Sequence, residues 1–319
     1  MRDLGLPALE TILARGQRNR TAGSSVERWL AAAFALPAGL PVAPYALRGD
    51  GREPGDHFWI HADPVHLKVH GDRLVLADAS RLDITGEEAR EWVAALNAQF
   101  AADGIAFDAP HPQRWYVRTA EAPRLDSTPT GEMAARSIEP FLPSGEGAAR
   151  WRKIANEAQM VLHAHPRNEA REARGALPVN SLWLWGAGRA QQPVSACDSM
   201  WADHPLASGL AAASSRIAHP LPASAAAVLA EPGVDKALVV VDALPPTAYG
   251  DVLDWRDAVA KLERAWLAPL LAALNDGRLQ SLTLHGLGPD YGYTVVLARN
   301  DRFRFWRRKR PLDHYVIKG

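Results

Sequence analysis

Apolar residues recur at helical spacing in well-separated windows along this chain. After Pro7, the positions Leu9, Ile12 and Leu13 form a short stripe that stops near Gly16. Ser24 and Glu27 have capping-box spacing and precede an apolar run from Val26 to Leu36. Thr85 and Glu88 repeat that spacing before Ala89, Trp92, Val93, Leu96 and Phe100. Trp151, Ile154, Ala158, Val161 and Leu162 predict a helix over 148–164, which Pro166 ends. Trp255, Val259, Leu262, Trp266 and Leu270 mark the last helix.

Period-two patterns lie between these windows. Phe58 to Val69 alternates, with Val65, Leu67 and Val69 on one face and His66, Lys68 and His70 on the other. Gly71-Asp72 predicts a tight turn and Arg73 to Ala77 a returning strand. The Val65/Leu67/Val69 face is expected to pack against the helix at 86–101, because each needs an apolar cover. Arg114–Arg118, Asn180–Trp185, Ala237–Val241, Leu279–Leu284, Tyr293–Ala298 and Arg302–Trp306 also read as strands. Polar residues 17–24 read as a loop, and the Pro/Gly-rich stretches 37–57 and 119–147 as connections. The order of elements predicts a mixed α/β core in the C-terminal half and an α+β portion around residues 58–175.

Composition narrows the picture. A chain of 319 residues can form one large domain or two ordinary ones. Lysine plus arginine and aspartate plus glutamate are equal at 36 each, so no global charge suggests nucleic acid or an anionic membrane. The basic run Arg307–Arg310 is too short by itself to alter that expectation. A single cysteine, Cys197, excludes an intramolecular disulfide. With no signal-like start and no apolar run of spanning length, a cytoplasmic protein is expected. The 11 tryptophans read first as core fillers.

Polar chemistry concentrates after the fourth helix. His165, Asn168, Arg171 and Arg174 follow in close succession where Pro166 forces the helix to stop. Arginine presents a planar fork suited to phosphate or carboxylate, and asparagine supplies both a donor and an acceptor. The competing reading is a solvated basic linker. Asn180 stands at a strand entrance, where it can bind a ligand or pin the backbone. Gly186-Ala-Gly188 follows the Trp183/Trp185 strand, but position 191 is Gln, so a dinucleotide fingerprint is absent. Ser24 is a helix cap or, less economically, a nucleophile at a helix N-terminus. His61, His66 and His70 do not read as a zinc site, since His66 and His70 would lie about 13 Å apart along one strand.

The segment Leu162-His-Ala-His-Pro-Arg-Asn-Glu-Ala-Arg-Glu-Ala-Arg-Gly-Ala-Leu-Pro-Val-Asn-Ser-Leu-Trp-Leu-Trp-Gly-Ala-Gly188 resembles a signature of archaeal-type cofactor-independent phosphoglycerate mutases, members of the alkaline-phosphatase superfamily. Length and motif order look closer still to a bacterial branch of regulatory proteins of the RpfE type. The resemblance implies an α/β fold with an alkaline-phosphatase-like mixed sheet core and an inserted α+β domain. The expected division is 1–57 for the first part of the core, 58–175 for the insert and 176–319 for the remaining core. It also implies a phosphorylated or carboxylate small molecule as ligand for His165, Asn168, Arg171, Arg174 and Asn180, and a regulatory protein partner. Three departures weigh against catalysis. The family's opening Asp-Gly-x-x-Asp has no counterpart in Met1-Arg-Asp-Leu-Gly. Its later Asp-x-x-x-His becomes Asp242-Ala-Leu-Pro-Pro246, and its Asp-His-x-Thr is missing between His285 and Tyr293. Arg167 also stands where the enzymes usually carry a hydrophobic residue. The expectation is a catalytically degenerate relative with a regulatory role, no metal and no cofactor. An active mutase or phosphatase using manganese or zinc, with Ser24 as nucleophile, is the alternative. A protein-interaction module is the third.

Overall fold

Proline at the first helical turn opens α1 (Pro7–Arg15), which stops before Gly16 as its stripe predicts. The computed structural model describes residues 4–71, 73–133, 138–242, 252–304 and 306–315. Residues expected as a polar loop form β1 (Gln17–Ala22); all six are exposed, so no alternation announces the strand. In α2 (Val26–Ala33) the start is one residue later than a Ser24 cap requires. The Ser24 hydroxyl donates to the Ser25 carbonyl at 3.1 Å, and its N–H donates to the Gly288 carbonyl. The expected connection 37–57 contains α3 (Ala43–Gly49), buried from Ala43 to Leu47. A helix that is apolar all round shows no stripe.

The hairpin of β2 (Phe58–His70) and β3 (Arg73–Ala77) is as expected, with Asp72 outside the described residues. The predicted capping box at Thr85 and Glu88 opens α4 (Gly86–Phe100). Then come β4 (Ala106–His111), β5 (Arg114–Thr119), α5 (Ala148–His163) and α6 (Pro166–Ala173). Pro166 both ends α5 and starts α6, because it tolerates the first turn of a helix and no later one. Beyond them lie β6 (Ser181–Arg189), β7 (Ser199–Trp201), α7 (Pro205–Ala213), β8 (Ile217–His219), α8 (Ala225–Ala230) and β9 (Ala237–Val239). The last helical stripe becomes α9 (Val252–Leu262) and α10 (Ala268–Asp276), joined by one π-helical turn. It is followed by β10 (Ser281–Gly286) and β11 (Tyr291–Ala298). Arg299–Phe303 is a 3₁₀ turn rather than the start of a strand, and Phe305 lies outside the described residues. So does the segment after Asp242.

The chain divides into two compact units, one of Met1–Val26 with Pro220–Gly319 and one of Glu27–His219. Within the second unit β6 pairs with β2 from Val65↔Ser181 to Phe58↔Arg189, which draws the chain beyond 175 into the same sheet. In that sheet β3 and β5 share β2 as partner and β4 flanks β5, all antiparallel. Ile60, Ala62, Trp115, Val117, Leu182 and Leu184 pack with Trp92, Leu96 and Phe100 of α4 and with Trp151, Ile154 and Leu162 of α5. Full burial of side chains such as Leu96 and Phe100 contributes about 1.5–3 kcal/mol each. The stripe on α4 is as expected, but its cover differs. Val65 is buried outside this cluster, and Val69 is 69% exposed near the hairpin tip.

The other unit has an antiparallel sheet in the order β1-β11-β10, with Ile12, Leu267, Leu274, Val295 and Leu297 in its core. Glu263, in the π turn, is buried and accepts the N–H groups of Ala8 at 2.5 Å and Leu9 at 3.0 Å. It thus caps α1, whose own N-cap residue Leu6 supplies no side-chain acceptor. Among the described residues no helix is long and apolar enough to cross a membrane.

Candidate functional site

The sequence-predicted cluster is brought together, and its polar groups face inward. Arg171 is 1% exposed. Its Nη1 donates to both Glu88 carboxylate oxygens at 3.0 Å, its Nε to the Leu177 carbonyl at 2.8 Å, and its Nη2 to the Leu82 carbonyl. Arg174 donates to the same Glu88 at 2.8 Å, and the Thr85 N–H does so at 2.9 Å. Burial by itself would raise the Glu88 pKa, but the Thr85 N–H and the Arg171 guanidinium outweigh it and hold the carboxyl below its usual range. Asn168 is buried and closes a loop: its Nδ2 donates to the carbonyls of Leu162 and Val179, and its Oδ1 accepts the Val179 N–H. Asn180 pairs through both side-chain atoms with the Leu67 backbone. Arg167, the departure noted above, bridges to Glu87 and Glu91 of α4. These contacts tie α6 and the loop after it to α4 and β2, while the Arg174 side chain stays half exposed.

His165 is the N-cap of α6, and its Nδ1 accepts the Arg167 N–H at 3.2 Å. That bond requires a bare Nδ1. Burial lowers the His165 pKa, and the Arg167 charge lowers it further against an opposing pull from Glu91. The unfolded chain therefore binds this proton more readily than the folded one. The contribution of His165 to stability should be complete above the ordinary histidine range and should fade as pH falls below about 6.5. An NMR titration should give its imidazole a lower midpoint than an unperturbed histidine. A midpoint at or above the ordinary value would contradict the cap.

A second polar cluster lies on the opposite face of the same sheet. Side chains two apart along a strand share a face. Ile60 and Ala62 face α4 and α5, so His61 and Asp63 point the other way. Cross-strand partners share that face, and register sets Tyr116 on one side of His61 and Trp185 on the other. The His61 ring stacks on Trp185 at 4.1 Å with 6° between planes, and Tyr116 lies at 4.8 Å. Trp185 Nε1 donates to Asp63 Oδ2 at 2.6 Å, and Thr130 Oγ1 approaches the same oxygen at 3.4 Å. A β-bulge interrupts the β2–β6 pairing between Trp59 and His61.

Asp50, the residue that caps the C-terminus of α3, completes this face. Its carboxylate accepts a forked pair of bonds from Arg114 and a 2.7 Å bond from Tyr116 Oη. Burial and the neighbouring Asp50 charge keep the Tyr116 hydroxyl protonated, far above the usual tyrosine range. Gly186, at φ +69°, closes the face: a Cβ there would stand 2.9 Å from Val42 Cγ2 and 3.1 Å from His61 Cδ2.

What distinguishes this cluster is unmet hydrogen-bonding capacity. His61 is 3% exposed and Asp63 8%. Among the described residues, both His61 ring nitrogens and Asp63 Oδ1 are buried without a hydrogen-bond partner. His61 Nδ1 and Asp63 Oδ1 are 3.7 Å apart, too far for a hydrogen bond. A buried polar atom left unpaired costs about 1–3 kcal/mol, and three such atoms meet here. Segment 126–130, which supplies Thr130, also supplies Ser127 and Thr128 to the wall of a cavity of about 340 Å³, together with Arg28 and Ser144. Sequence reasoning weighed His61 only as a zinc ligand. The usable signal was the matched spacing of His61/Asp63 and Trp183/Trp185, two pairs of odd positions on alternating strands.

No family model matches the sequence. A probable 2,3-bisphosphoglycerate-independent phosphoglycerate mutase of Geobacter sulfurreducens is 33% identical over 135 residues, covering 41% of this chain and 33% of that protein. The 2,3-bisphosphoglycerate-independent phosphoglycerate mutase of Methanosarcina mazei is 24% identical over 200 residues, covering 58% of this chain and 48% of its own length. The chain spans about a third to a half of the length of these curated relatives. The structure of the PH0037 protein from Pyrococcus horikoshii aligns with a TM-score of 0.55 at 14% identity, over 92% of this chain and 80% of that one. That likeness is one of fold, and it agrees with the mixed α/β class expected from the sequence. Over part of its length, then, the chain is similar in sequence to the 2,3-bisphosphoglycerate-independent phosphoglycerate mutases.

Proposed function

We propose that this chain is a mutase-like regulatory protein that binds a small phosphorylated or carboxylate-bearing hydroxy compound at the His61–Asp63 face and does not transfer its phosphoryl group. The observation that carries the reading is the unpaired trio of His61 Nδ1, His61 Nε2 and Asp63 Oδ1. A hydroxyl can donate to the Asp63 oxygen while it accepts from the imidazole N–H, and an anionic oxygen can take a further N–H or hydroxyl donor nearby. Ser127 and Thr130 offer such hydroxyls, and Arg28, paired with Glu132 at 2.7 Å, lies along the neighbouring cavity wall. Trp185 and Tyr116 hold the imidazole in place, so the polar atoms are presented in a fixed geometry.

Two observations favour binding over metal-assisted transfer. The enzymes' Asp-x-x-x-His reads Asp242-Ala-Leu-Pro-Pro246 here, without the histidine. The Ser24 hydroxyl donates to the Ser25 carbonyl, whereas an activated serine donates to a base. Metal analysis and a coupled assay with phosphoglycerate and added manganese test this part. Turnover clearly above blank that is abolished in Ser24→Ala would overturn it.

The binding site itself is tested by His61→Phe. Phenylalanine keeps a ring on Trp185 and removes both orphaned nitrogens. Thermal unfolding should show no loss of stability, because an unsatisfied buried polar group is exchanged for an apolar one. Binding of 3-phosphoglycerate should weaken at least about tenfold, which corresponds to about 1.4 kcal/mol. A clear drop in Tm with unchanged binding would mark His61 as a packing residue.

A further inference from the structure

The run Arg307–Arg310 is short, but the fold does not leave it alone. The residues after the 3₁₀ turn return along the start of β1. Arg304 and Arg307 donate to the carbonyls of Arg15 and Gly16 at 3.3 and 3.5 Å, and Arg15 donates to the Arg302 carbonyl at 2.9 Å. Tyr315 joins the two stretches: its hydroxyl accepts the Arg310 N–H at 3.3 Å while the Arg18 guanidinium lies over its ring at 4.9 Å. One strand on, Arg20 lies over Tyr291 at 4.8 Å. Arg18, Arg20, Arg307, Arg308, Lys309 and Arg310 are all exposed, and among the described residues none pairs with a carboxylate. Large aromatic rings are interleaved with this charge: Phe303 is 58% exposed and Trp306 66%. A chain whose formal net charge is zero thus concentrates unpaired cations, nearly all arginine, on one surface.

We propose that this surface binds single-stranded nucleic acid. Arginine forks match phosphate oxygens and also stack on flat rings, which compact ammonium groups do less well. Phe303, 58% exposed with the Arg302 guanidinium over one face at 4.6 Å, shows that this surface already stacks arginine on an aromatic ring, the arrangement that an unstacked base would extend. Duplex readout would need a helix or ribbon that fits a groove, and an exposed strand flanked by a basic turn offers no such element. An anionic membrane is the less suitable partner, because interfacial binding draws on an amphipathic helix with a continuous apolar face. Here two separate rings stand on a turn.

Fluorescence anisotropy with a labelled mixed-sequence oligonucleotide of about 15 nucleotides tests the proposal on the full chain. Saturable binding is expected, with log K falling by about 0.7 per contacted phosphate for each tenfold rise in salt. The pair Arg18→Glu/Arg20→Glu and the pair Arg307→Glu/Arg308→Glu should each weaken binding tenfold or more, with unchanged circular dichroism. Phe303→Ala keeps every charge; it should weaken the oligonucleotide severalfold and leave competition by inorganic polyphosphate unchanged. Absence of binding, equal affinity in all variants, or retention on phosphatidylserine vesicles without oligonucleotide binding would each overturn the proposal.

Discussion

Arg171→Ala is expected to destabilise the protein by about 3–5 kcal/mol, because it strands the Glu88 carboxylate inside the fold. Glu88 is 3% exposed and collects Arg171, Arg174 and the Thr85 N–H on two oxygens. Arg174 is half in solvent and cannot replace a buried fork. The Leu82 and Leu177 carbonyls also lose their donors. Arg171→Lys should recover only part of the loss, since an ammonium cannot serve Glu88 and both carbonyls at once. Arg171→Met combined with Glu88→Gln should be milder than the single alanine, because the buried charges leave together. Chemical denaturation of the three variants decides this. An Arg171→Ala protein within 1 kcal/mol of wild type would mean that the guanidinium is free to serve a ligand after all.

The second large effect is expected from Gly209→Ala. In α7, a Cβ at Gly209 would be driven into the Tyr45 carbonyl of α3, and a Cβ at Gly49 would meet the Pro205 carbonyl in return. The two helix backbones touch through these glycines, and backbone carbonyls cannot move aside as a side chain can. Overpacking costs about 1–3 kcal/mol where side chains yield, so a clash between backbones should reach the upper end or exceed it. The effect should also be felt at the candidate site. Asp50 caps α3, so a displaced helix would pull its carboxylate away from Arg114 and Tyr116. Thermal unfolding of Gly209→Ala should show a Tm several degrees lower or more, and 3-phosphoglycerate binding should weaken with it. An unchanged Tm would contradict the close crossing.

Much of this was legible in the sequence, and the failures have physical causes. The capping box of Thr85 and Glu88, the stop at Pro166 and the stripe Trp92/Leu96/Phe100 are local signals, and each holds. The partner of Glu88 lies 83 residues away, so the arginine that reads as a ligand for an outside anion could not be assigned to an inside one. Both readings rest on the same fork chemistry. β1 was missed because an edge strand with every residue exposed has no alternation, and α3 because a helix buried on all sides has no stripe. The face of His61 and Asp63 was within reach. Its period-two spacing is present, but histidines on a strand suggest metal geometry first, and tryptophans on an apolar strand suggest core. Likewise, Arg307–Arg310 looked like a solvated run until β11 brought β1 beside it.

The central claim is that a small anionic hydroxy compound fills the unpaired groups of His61 and Asp63. Isothermal titration of 3-phosphoglycerate into wild type and His61→Phe, in one buffer at neutral pH, tests it most directly. The account predicts saturable one-site binding by wild type and a loss of at least about tenfold in the variant, with folding intact. Equal affinity in the two proteins, or no binding by wild type, would contradict it.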